Sequence, residues 1–129
     1  MNSDELKALC NSWPGVSSRI KGEDELEFSV KGKLFAVLCL RGPDRDRLSF
    51  KVDPGRFVEM SERPGMVPAH YSARAFWVTM VEPERFSVEE ARACIRRSYE
   101  LVCAGLGKKQ QDSLGNAQAS RIDEPGKPN

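Results

Sequence analysis

Residues 26–52 read LEFSVKGKLFAVLCLRGPDRDRLSFKV. Three runs of strand-forming residues are separated by Gly32 and by the polar segment 41–46, which contains Gly42-Pro43-Asp44. This pattern predicts an antiparallel meander with two turns. The first and third runs alternate: Leu26, Phe28 and Val30 share one face, as do Leu48, Phe50 and Val52. The middle run is apolar on both faces, as a central strand requires. A register follows from the two turns. Lys31 is expected opposite Lys33, Phe28 opposite Ala36 and Leu26 opposite Leu38. Ala36 then faces Phe50, and Leu38 faces Leu48. Leu34, Ala36, Leu38 and Leu40 join the apolar face of both neighbours, and this agreement across three strands supports the register.

The opposite face then carries Glu27, Ser29 and Lys31, next Phe35, Val37 and Cys39, and last Arg47, Ser49 and Lys51. This is a narrow apolar strip between polar rims. It serves either as a second packing contact for a loop or tail, the simpler reading, or as a partner surface.

Outward from the meander, Ser3 is expected to cap a first helix, with Asp4 and Glu5 in its first turn and Leu6, Leu9 and Cys10 as its apolar stripe. The helix should stop before Pro14-Gly15, and residues 16–25 read as a polar connection. Asp53-Pro54 looks like an N-cap followed by proline at the first helical position, opening a helix to about Ser61. Residues 66–71 suggest a short strand broken by Pro68, and residues 74–81 a clear one. Ser87 and Glu90 have capping-box spacing at the start of the longest helix. Val88, Ala91, Ile95, Tyr99, Val102 and Leu106 recur along it at three and four residues. A helix over residues 87–106 is roughly 30 Å long, enough to cross a sheet, and Gly107 is expected to end it. Residues 1–107 therefore form one domain. Residues 108–129, rich in Gln, Ser, Gly, Asn and Pro, read as a disordered tail.

The chain has 129 residues, with 20 Lys and Arg against 19 Asp and Glu. That length builds a core without a metal or disulfide staple. The charge balance counts against strong nonspecific DNA binding while leaving room for a local basic patch. The cysteines Cys10, Cys39, Cys94 and Cys103 form no C-x-x-C pair and sit within apolar patterns, so buried reduced thiols are expected. No h-region opens the chain and no apolar run approaches membrane-spanning length, which favours a cytoplasmic protein without a membrane partner. His70 is the lone histidine and supplies neither a triad nor a metal cluster. Gly32-Lys33 lacks P-loop spacing. The acidic group Glu23, Asp24, Glu25 and Glu27 reads as solvated surface. No nucleophile stands with a base, so a non-enzymatic protein without a cofactor is expected. Trp77 is expected in the core against the last helix.

The basic residues gain meaning from the meander. Its two turns lie at opposite ends of the sheet, roughly 26 Å apart along an eight-residue strand. Lys31 and Lys33 share one end with Lys51, with Arg56 nearby. Arg41, Arg45 and Arg47 occupy the other. Paired lysines at a hairpin tip suit phosphate contact, and lysines near sheet edges also keep proteins soluble.

Several elements fall together in order and spacing: Pro14-Gly15-Val16, Phe28-Ser-Val-Lys-Gly-Lys-Leu-Phe-Ala36, Leu48-Ser-Phe-Lys-Val-Asp-Pro54, Tyr71, Trp77-Val78 and Ser98-Tyr99-Glu-Leu-Val102. Over residues 6–106 the chain resembles the MmcQ/YjbR family. The resemblance implies a CyaY-like α+β fold, with helices packed on one face of an antiparallel sheet. It also implies a DNA-binding-like, double-wing protein. The family's Gly-Lys turn matches Gly32-Lys33, and its Lys-Val-Asp-Pro element matches Lys51 to Pro54. Gly107 stands where members often carry proline after the last helix. The expectation is a small monomeric protein that binds DNA through Lys31, Lys33 and Lys51 at one end and Arg41, Arg45 and Arg47 at the other. The alternative is a protein-interaction or small-ligand module using Phe35, Val37 and Cys39, or an aromatic pocket of Trp77 and Tyr71. Iron binding, borrowed from the frataxin-like fold, ranks last because no acidic ridge is evident.

Overall fold

In a computed structural model, the protein is described over residues 1–69 and 76–107. The expectations for His70, Tyr71, the start of the 74–81 strand and the tail 108–129 lie outside the described residues. The sheet is six-stranded and antiparallel: β1 (Val16–Lys21), β2 (Glu25–Val30), β3 (Lys33–Cys39), β4 (Leu48–Lys51), β5 (Met66–Pro68) and β6 (Trp77–Met80). Their spatial order is β1-β2-β3-β4-β6-β5. Helices α1 (Ser3–Cys10), α2 (Phe57–Ser61) and α3 (Val88–Ala104) complete an α+β domain.

Four of the expected register pairs hold across the centre: Phe28 with Ala36, Leu26 with Leu38, Ala36 with Phe50, and Leu38 with Leu48. Two corrections arise at the lysine end. Val30, not Lys31, stands opposite Lys33, because Lys31 and Gly32 form the hairpin loop themselves, with φ of 50° and 81°. Left-handed φ at both loop residues is the twist-matched geometry of a two-residue hairpin. The register then shifts between Phe28 and Ser29, so β3 carries an extra residue there, and a bulge re-aims its side chain. Phe35 is consequently turned into the core, fully buried, with its ring 5.5 Å from that of Tyr99. The strip Phe35, Val37 and Cys39 therefore does not exist as an exposed surface: Phe35 is on the other face and Val37 is only 3% exposed.

Other corrections are local. Residues 16–21 form an edge strand instead of a loop, pairing with β2 from Val16–Val30 to Lys21–Glu25. Four of its six residues are exposed, so it lacks the apolar alternation that betrays a strand. Asn2, one residue before Ser3, caps α1 and forms a reciprocal capping box with Glu5. Asp53 makes no cap; Pro54–Arg56 is a 3-10 turn leading into α2. Ser87 does cap α3 by accepting from the Glu90 amide at 3.0 Å. The Glu90 carboxylate turns to Arg63 and leaves the box half formed. Helix α3 ends at Ala104 with Gly105 as its C-cap, earlier than Gly107. Only Cys10 is buried; Cys39, Cys94 and Cys103 are half-buried, and all four are free thiols.

The core joins one sheet face to the helices: Leu26, Phe28, Ala36, Leu38, Phe50 and Val78 meet Leu6, Met60, Ile95 and Tyr99. Trp77 is buried but sits next to inward-facing Val78, hence on the other face, opposite Lys51. The tryptophan packed on the last helix is Trp13, whose ring is 5.1 Å from Tyr99 and lies under Arg96.

Candidate nucleic-acid interface

The segments most distinctive in the sequence converge at the lysine end of the sheet. Ser98, on α3, is fully buried. Its hydroxyl accepts from the Lys51 amide at 2.9 Å and donates to the Phe35 carbonyl at 2.7 Å. These two backbone groups lie just past the last β3–β4 pair, Ala36–Phe50. Ser98 thus bridges the strands where their own ladder stops, satisfying groups that would be costly to bury unpaired. The neighbouring Tyr99 hydroxyl donates to the Pro14 carbonyl at 2.7 Å, and the Lys31 amide donates to the Gly15 carbonyl at 3.2 Å. Asp53 receives a two-pronged hydrogen bond from Arg97, at 2.6 and 2.9 Å. That bond, reinforced by the guanidinium charge, holds the Asp53 carboxyl below its usual range and pushes Arg97 upward. The Ser98-Tyr99 and Asp53-Pro54 elements therefore hold α3, β3, β4 and the α1–β1 connection together.

On that frame Lys31 and Lys33 are exposed at the hairpin tip and Lys51 is half-buried one strand away. Among the described residues no carboxylate pairs with the ammonium of Lys33 or Lys51. The arginine end differs. Arg41 pairs with Glu23 at 2.8 Å, and Arg47 with Asp44 at 2.9 Å. The Leu40 amide bonds to the Asp24 carbonyl, which brings the acidic β1–β2 turn beside Arg41. Asp44 and Asp46 flank Arg45 in the chain. The structure thus groups Lys31, Lys33 and Lys51 as expected, and it pairs Arg41 with Glu23 and Arg47 with Asp44, while no ion pair forms at Arg45 among the described residues. Arg97 was not singled out by sequence; its partner Asp53 lies 44 residues away, beyond any local pattern.

The outer sheet face carries a cleft of about 260 Å³ lined by Val37, Cys39, Arg47, Ser49, Val67 and Thr79. Its polar groups largely satisfy one another: Ser49 and Thr79 share a 2.7 Å hydrogen bond, and Arg47 holds Asp44. Among the described residues no group of three His, Cys, Asp or Glu side chains is placed to hold a metal ion. Burial pushes the Cys10 thiol up to about 12 and raises Cys94 and Cys103, so these three stay protonated at neutral pH and are poor nucleophiles. No helix among the described residues is long and apolar enough to cross a membrane.

The profile of the YjbR family matches residues 11–101, and the chain belongs to that family. A crystal structure of a Deinococcus radiodurans protein with a DUF419 domain is similar to it, at 28% identity and a TM-score of 0.75 over 87% of this chain and 86% of that one. A Pseudomonas syringae protein shares the fold, at 20% identity and a TM-score of 0.62 over 78% of this chain and 98% of that one. No match was found among curated proteins.

Proposed function

We propose that this YjbR protein is a non-enzymatic, monomeric, cytoplasmic module that binds nucleic acid through the lysine end of its sheet, with Lys31, Lys33 and Lys51 on backbone phosphates. The observation that carries this reading is the asymmetry between the two ends. The Lys31–Gly32 turn places two exposed lysines at a hairpin tip, whereas at the other end Arg41 is engaged by Glu23 and Arg47 by Asp44. An engaged arginine must give up a carboxylate before it can take a phosphate, whereas Lys33 and Lys51 pair with no carboxylate among the described residues and release counterions on binding. Recognition of this kind reads the charged backbone and is insensitive to sequence. The double-wing expectation is thereby narrowed to one wing.

The test is fluorescence anisotropy of a labelled generic duplex from low to physiological salt, with wild type, Lys31→Glu/Lys33→Glu and Arg41→Glu/Arg45→Glu. The expected result is affinity that falls log-linearly with salt. The lysine reversal should weaken binding to all sequences alike and lower the salt slope by about 2, while the arginine reversal leaves most binding intact. Absence of binding even at low salt, or binding retained in the lysine reversal, overturns the reading.

A further inference from the structure

A second cleft, of about 210 Å³, opens between the end of β4, α2 and α3. Val52, Met60, Ala93 and Cys94 supply its apolar lining, and Lys51, Asp53, Arg56, Glu90 and Arg97 its charged groups. The acids are already committed. Asp53 is held by both prongs of Arg97, and Glu90 by Arg63 through two hydrogen bonds. Those pairings hold both carboxyls below their usual range, so they stay ionised and bonded at neutral pH.

Two of the cations are not committed in the same way. The Lys51 ammonium has no ion-pair partner among the described residues. Arg56 makes long contacts to Glu59 at 3.4 Å and the Met60 thioether at 3.5 Å, and its charge also acts on Asp53 and Glu90 without a hydrogen bond to either among the described residues. Sulfur is a weak acceptor, and a 3.4 Å contact between exposed side chains contributes little. A planar guanidinium with strong donors in weak contacts, beside an unpaired ammonium over an apolar floor, is complementary to an oxyanion. The volume is several times the ~30 Å³ a water occupies in the liquid, so a tetrahedral anion fits with part of its ester.

We infer that the cleft between α2 and α3 is a binding site for a small phosphate dianion, free or as a phosphomonoester, held by Arg56 and Lys51. The Asp53–Arg97 and Glu90–Arg63 pairs frame it, and each carboxylate is neutralised by its own arginine. The site does not depend on Lys31 or Lys33.

The experiment is an amide chemical-shift titration of the full chain with inorganic phosphate, ribose 5-phosphate and, as controls, ribose and chloride at matched ionic strength. Saturable shifts at Val52, Met60, Ala93 and Cys94 are expected with both phosphate compounds and not with the controls. Tighter binding of the ester identifies a monoester as the ligand, and equal binding identifies free phosphate. Arg56→Gln and Lys51→Gln should each weaken binding by at least about tenfold, the change expected for one lost charge-assisted hydrogen bond. Lys31→Glu/Lys33→Glu should leave it unchanged, which separates this site from the hairpin tip of the proposed nucleic-acid interface, with which it shares Lys51. Arg56 is exposed and Lys51 half-buried, and the spectra of both glutamine variants away from the cleft report directly that the fold is kept. Linear shifts equal to those with chloride, or binding unchanged in Arg56→Gln and Lys51→Gln, overturn the inference.

Discussion

The two ends of the central hairpins look alike as strings of basic residues and differ as objects. At one end, the lysines ride on a two-residue turn whose base is locked from behind. Phe35 enters the core at a bulge, Ser98 bridges the last strand groups, and Tyr99 fastens Pro14. At the other, a longer loop over residues 41–46 brings its own aspartates, and the β1–β2 turn adds Glu23. A count of Lys and Arg treats the ends as equal. The difference arises because charge is effective only where no opposite charge lies within a few ångströms, and that is a property of neighbours in space.

The comparison breaks most severely if the lysine end is not built on Phe35. Phe35→Ala should destabilise the protein by about 3–5 kcal/mol, the usual cost of emptying an aromatic core site. Urea unfolding measures it, and a loss under ~1 kcal/mol would mean that the bulge packs without the ring. Ser98→Ala comes next. It leaves the Phe35 carbonyl and the Lys51 amide without their bridge, at about 1–3 kcal/mol. Faster amide exchange at Lys51, with Leu48 unchanged, would place the damage at this end; uniform exchange along β4 would contradict a local role for Ser98. The smallest effect is expected at the other end. Arg41 and Glu23 are both well exposed, so Arg41→Ala should change stability by less than about 1 kcal/mol. A larger loss in the same unfolding assay would show that the arginine end is structural and that the two ends are more alike than their packing indicates.

Much of the fold was legible from alternation. Leu26 and Phe28 against Leu38 and Ala36, and Leu48 and Phe50 across the next gap, were correctly paired because one buried face leaves only one register in which apolar positions coincide. Strand β1 was missed for the complementary reason: at the edge of the sheet most of its side chains face solvent, so selection on polarity is weak and no period appears. The cap at Asp53 was misread because a carboxylate before proline suits both a helix start and a salt bridge. Arg97, brought alongside by α3, takes it. Of the candidate interface, the lysine cluster was visible and the compensation of Arg41 and Arg47 only partly so. Asp44 stands three residues from Arg47, whereas Glu23 reaches Arg41 only after two strands have folded back.

The sequence by itself determined the class of the fold, the central register, the last helix and membership of the YjbR family, because periodic burial and turn chemistry act over a few residues and leave a pattern in the chain. Only the tertiary structure decided which face Phe35 occupies, which tryptophan meets α3, that Arg41 pairs with Glu23 and Arg47 with Asp44, and that Arg56 and Lys51 share a cleft with Arg97. A bulge of one residue reverses the side on which a side chain points, and an ion pair depends on separations of 3–4 Å between groups dozens of residues apart. Neither leaves a local signature that composition or spacing can reveal.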